Sequence, residues 1–136
     1  MKRIEARSLL QQTRRDRRGV AAVEFALIIP VFCTILLGTL QYGVLMFTYT
    51  AMQDTARDAA RKLATGTATA AVAKTEAKAA LPSWVPTADW TITTTDAASG
   101  ATVNASISVP ATSATVLGFV LMPTTVSAQV YMRKEG

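Results

Sequence analysis

The sequence predicts an α+β chain: a long N-terminal transmembrane helix that continues into a small head with a short second helix and a three-stranded antiparallel sheet. Three observations carry that expectation. Phe25 to Gln53 is a run of 29 residues without one Asp, Glu, Lys or Arg. Beyond Pro86 the apolar residues recur every second position, the period of a half-buried strand. The charge is also lopsided. The chain of 136 residues has a net charge of +5, and the first 18 residues hold seven Lys or Arg against only Glu5 and Asp16, so residues 19–136 are neutral.

That distribution excludes several classes of function. Nucleic-acid binding needs a basic stripe across a folded face, and here the excess sits in a short leader. The chain has no His, no Gly-rich loop to cradle a phosphate and no nucleophile motif. It is expected to be no enzyme and to need no metal or cofactor. Cys33 is the one cysteine, so no disulfide forms within the chain.

The first element follows from the uncharged run. As a helix it would reach about 43 Å at roughly 1.5 Å per residue, and a hydrocarbon core of about 30 Å needs only about 20 residues. The span is placed from near Val20 to about Phe47. Arg14, Arg15, Arg17 and Arg18 stand just before it and should stay cytoplasmic, which sends the C-terminal portion to the other side. A cleaved secretory signal has an apolar stretch of about 7–15 residues, much shorter than this one. A lipoprotein signal would need small residues before Cys33, where Phe32 stands. A plain anchor accounts for length and charge but leaves Glu24 unexplained, because a carboxylate in a membrane is costly and wants a partner.

Pro30 has no N–H and clashes with the carbonyl of Ala26, so the helix is expected to kink there. Past the span, Met52, Ala56, Ala59, Ala60 and Leu63 share one face, with Asp54, Arg57, Asp58, Arg61 and Lys62 opposite. Asp58 stands four residues before Lys62, the favourable order for a helical ion pair. Gly66 reads as the stop. The expected organisation is a basic leader at 1–19, one extended helix at 20–64 and an α+β head at 65–136.

Within the head, "TATAAVAKTEAKAAL" (67–81) is rich in helix formers that bury little. Pro82 and Pro86 end that helix, and Trp84 between them is expected to anchor the core. "DWTITTTD", "ATVNASISVP" and "TVSAQVYMR" each alternate apolar and polar residues and read as strands. "DAASG" between the first two suggests a hairpin loop. One face of such a sheet packed against the helix makes a minimal stable unit, with a thin core. "TVLGFVLM" (115–122) breaks the alternation. It either closes the core as a short helix or turn or exposes Leu117, Phe119, Val120 and Leu121 as a partner patch.

The junction "RRG" followed by "VAAVEF", with Glu24 the fifth residue after Gly19, resembles the processing site of type IV pilin-like proteins. Glu24–Phe25 is similar to the tight-adherence (Flp) branch of that group. The stretch "RRGVAAVEFALIIPVFCTILLGTLQYGVLMFTYTAMQDTARDAARKLATG" resembles TadE-like pseudopilins. The resemblance implies a bacterial inner-membrane protein, its N-terminus cytoplasmic and its head periplasmic. It implies that a prepilin peptidase cuts after Gly19 and frees the amine of Val20, which meets Glu24 of its own or a neighbouring subunit. The implied partners are that peptidase, other pilins and pseudopilins, and proteins of the Tad secretion platform. The alternative from another class is an uncleaved single-pass inner-membrane protein whose periplasmic head binds an envelope or secretion partner.

Overall fold

Helix α1 runs from Arg17 to Ala64 in the computed structural model, which describes residues 17–115 and 123–135. The leader arginines Arg14 and Arg15 and the apolar residues Leu117, Phe119, Val120 and Leu121 lie outside the described residues. The chain divides into two units, Met1–Thr39 and Leu40–Gly136, and α1 contributes to both.

The first unit, over its described residues, is helix alone. Its threonines show how polar side chains survive in an apolar helix. The hydroxyl of Thr34 donates to the carbonyl of Pro30 at 2.7 Å, and Thr39 donates to Ile35 at 2.9 Å. Each hydroxyl therefore finds its partner one turn back and asks nothing of the surroundings. α1 is unbroken across Pro30. The Gly19–Val20 bond lies within its described residues, in helical backbone.

The second unit carries the remaining elements. The last turns of α1 turn Met52, Ala56, Ala59, Ala60 and Leu63 inward, all essentially buried, on the face their spacing predicts. The same stripe extends back through Thr48, Leu45 and Gln41, so burial reaches into the uncharged run. Gly66 ends the helix at φ 69°. The N–H of Thr67 donates to the carbonyl of Lys62 and that of Gly66 to Leu63, the paired bonds of a Schellman stop. Helix α2, Ala70–Ala80, starts at Thr69, whose side chain accepts from the Val72 N–H at 3.5 Å. It is shorter than the alanine-rich stretch suggested, because the chain at 67–69 is spent on the α1 stop and this cap. Ala73 and Ala77 are its buried residues.

Three strands follow: β1, Thr91–Thr95; β2, Thr102–Pro110; and β3, Thr125–Arg133. They form one antiparallel sheet in the order β1-β2-β3. The register sets apolar against apolar: Ile92 faces Ile107, Ile107 faces Ala128, and Val109 faces Val126. These side chains share one core with Met52, Ala56, Ala60 and Leu63 of α1 and Ala73 and Ala77 of α2. The other face pairs Thr93 with Ser106 and Ser106 with Gln129, the polar-out pattern of a sheet covered on one side. Many core positions are Ala or Val, so the layer is thin, as the composition implied.

Two polar ties fix the pieces. Lys62 bridges Asp58 of its own helix at 2.7 Å and Glu76 of α2 at 2.8 Å. The Thr94 hydroxyl donates to the carbonyl of Ala70 at 2.8 Å, joining β1 to the start of α2.

Candidate functional site

Two places on this chain stand apart from ordinary packing. The first is the apolar helix from Gly19 onward. Residues 19–37 are all exposed. Phe25, Leu27 and Ile35 are each more than three-fifths exposed. A continuous apolar surface of this kind marks a face that meets lipid or other protein. By length and composition this helix can cross a membrane.

The residues singled out for processing and charge pairing lie at its beginning. Gly19, Val20, Glu24 and Phe25 are all on α1 and all exposed. Val20 and Glu24 are one helical turn apart and so share a face. Arg17 and Arg18 are helical residues directly ahead of them. Among the described residues Glu24 makes no ion pair. Nothing lies within 4 Å of where a side chain on Gly19 would begin, so a substituent there meets no obstacle within the chain itself.

The second place lies in the Leu40–Gly136 unit. Gly43, Val44, Phe47, Trp84, Ser113, Ala114 and Thr115 line a groove of about 430 Å³. Among the described residues no ionisable side chain lines it. Phe47 and Trp84 hold its rim with ring centroids 5.4 Å apart and planes tilted by 40°, an arrangement of the kind aromatic pairs favour. Both rings stay open, Phe47 at 61% exposure and Trp84 at 53%. The expectation that Trp84 anchors the core is corrected here. Val85 and Trp90 take that role, at 2% and 7% exposure. The turn between Pro82 and Pro86 aims consecutive side chains in different directions, and it sends Val85 inward and Trp84 out. No sequence pattern signalled the groove, since Trp84 meets Phe47 across 37 residues of chain. The one available hint was an aromatic residue on a tight proline-flanked turn.

A helix long and apolar enough to cross a membrane, followed in the chain by a small α+β unit, is the layout of the class of membrane-anchored proteins. Within that class, residues 19–61 match the family described as TadE-like protein, the family the sequence resembles. The match begins at Gly19 and ends three residues before α1 does. No curated protein and no solved structure matches the chain.

Proposed function

We propose that this chain is a TadE-like minor pseudopilin that serves assembly of a tight-adherence (Flp) pilus. The observation that carries the reading is the family match over 19–61, which opens at the glycine that follows the leader arginines. The mechanism is association rather than turnover. The leader is held in the cytoplasm by Arg14, Arg15, Arg17 and Arg18, the helix crosses the inner membrane, and the head is periplasmic. A prepilin peptidase removes the leader after Gly19.

The helical position of Gly19 adds a step to that cut. A peptidase needs extended backbone, so α1 must open around that bond. Glycine is about 1 kcal/mol worse than alanine in a helix, which lowers the cost of opening at that bond. Cleavage then frees the α-amine of Val20, one turn from Glu24. The amine neutralises the carboxylate in the same chain or in a neighbour, and pairing of this kind sets register between helices. The exposed apolar face between Phe25 and Leu40 associates with the helices of other pilins, pseudopilins and platform proteins, and Pro30 loosens the helix where a subunit must shift in the bilayer.

Mass spectrometry of the protein extracted from its own membranes tests the reading. A mature species beginning at Val20 is expected, with Gly19→Leu retained at full length. Glu24→Gln should be cleaved yet fail to assemble. An intact N-terminus in cells that contain the peptidase would leave an uncleaved anchored protein and would overturn the assignment.

A further inference from the structure

The groove beside Phe47 and Trp84 has a floor made by the uncharged run itself. Gly43, Val44 and Phe47 belong to α1, and the next charged residue on that helix is Asp54, two turns further on. A hydrocarbon core takes about 20 helical residues. Counted from Phe25, the first residue of the uncharged run, that length ends at Val44. The groove and its aromatic rim therefore fall where acyl chains give way to glycerol and headgroups. Tyr42 and Tyr49, both partly exposed, flank the same turns of α1. Aromatic side chains gather at this depth because their rings suit the apolar side and their polar edges the wet side.

Trp84 is the informative member. It does not belong to the helix that crosses the bilayer. The fold brings it from the turn after α2 onto the last apolar turns of α1 and leaves it more than half exposed, while Trp90 in the same unit is buried. A half-open Trp on a half-open Phe, over a groove whose described lining is apolar or hydroxyl-bearing, is costly against water and favourable against lipid.

We propose that the Phe47–Trp84 pair and its groove seat the folded unit on the bilayer that α1 crosses, occupied by the upper acyl-chain and glycerol region of phospholipid. The contact needs the helix to be membrane-embedded but does not depend on the pilus assignment. It would hold the Leu40–Gly136 unit at the membrane surface.

Full-length protein in phospholipid vesicles, with Trp90→Phe leaving Trp84 as the sole tryptophan, tests this by fluorescence. Trp84 emission should be blue-shifted and mostly lost to lipids brominated near the headgroup. Lipids brominated near the chain ends should quench it less, and aqueous iodide hardly at all. This pattern should hold as the chain is diluted into more lipid. Where Trp90→Phe loosens the core, the difference between the wild type and Trp84→Phe reports the same quantity. Quenching by iodide without quenching by bromolipid would overturn the proposal. Shielding that disappears on dilution would show that a second copy covers the groove, and would overturn it too. Retention through an alkaline wash separates the two failures. A retained chain with a water-exposed Trp84 loses only this contact, whereas a released chain loses the anchoring and the contact together.

Discussion

The backbone N–H of Glu135 donates to the carbonyl of Ala64 at 2.9 Å. Ala64 is the last residue of α1, and its carbonyl is one of those a helix leaves without an internal partner. The segment after β3 thus completes the helix that begins at Arg17. Ala64 is nearly buried, so water is a poor substitute. Glu135→Pro, which removes the donor, should destabilise the head by about 1–3 kcal/mol, the cost of leaving a shielded acceptor unpaired. Glu135→Ala keeps the N–H and should be close to neutral. Thermal unfolding of the full chain in detergent compares them, and equal melting of the two variants would contradict the role given to this bond.

Gly66 supplies a second test at the same helix end. Its φ of 69° is in the left-handed region, and nothing lies within 4 Å of a Cβ built there. The cost of Gly66→Ala is therefore conformational rather than steric. It should be about 1–2 kcal/mol, the penalty an L-residue meets in that region. Gly66→Asn should recover part of it, because Asn tolerates this backbone better than Ala. Ranking the three by denaturant midpoint in micelles checks the order Gly, Asn, Ala.

Asn104 lies on the polar face of β2, opposite Thr95 and Tyr131. Its side-chain Oδ1 is shielded and has no hydrogen-bond partner among the described residues. Burying an acceptor without a donor costs stability. Asn104→Thr removes that amide and introduces a β-branched side chain suited to a strand. A gain of about 1 kcal/mol is expected, and a lower melting temperature for this variant would show that the amide is satisfied in solution.

Two groups, Asp96 and Lys62, contribute to the pH dependence of the head. Lys134 donates to Asp96 at 2.7 Å, tying the hairpin loop to the end of β3. That bond, and then the Ala97 N–H, hold the Asp96 carboxyl below its ordinary range. Its contribution is present above the unfolded value and is lost as pH falls through the depressed one. Lys62 behaves in the opposite sense. Its bond to Asp58, then that to Glu76, raises it above the ordinary lysine range, so its contribution persists below the unfolded value and is lost as pH rises through the raised one. Melting temperature against pH should thus fall at both ends. Asp96→Asn should flatten part of the acid limb and Glu76→Gln part of the alkaline limb. Unchanged limbs in both variants would refute the assignment.

Much of the architecture was legible before any coordinates. The stripe from Met52 to Leu63, the Gly66 stop and the three alternating strands are local patterns, each set by a period or by a backbone preference within a few residues. The basic cluster, the glycine and the acid of the candidate processing segment are neighbours along the chain, so the sequence alone singles them out; their role in processing belongs to the proposal. The position of Trp84 was not. The residue is large and apolar, and propensity alone sends such residues inward, but on a tight turn only one of Trp84 and Val85 can face the core.

By itself the sequence determined that an uncharged helix precedes an α+β head and that a lone acid follows a basic leader, since spacing and charge along a chain are one-dimensional quantities. Only the tertiary structure decided that the N–H of Glu135 completes α1, that Trp84 stays open against Phe47, and that a groove forms on the last apolar turns. Those relationships join residues tens of positions apart. They exist only once helix and sheet have packed, because the entropy of bringing such distant segments together is met by the shared core and by no local preference.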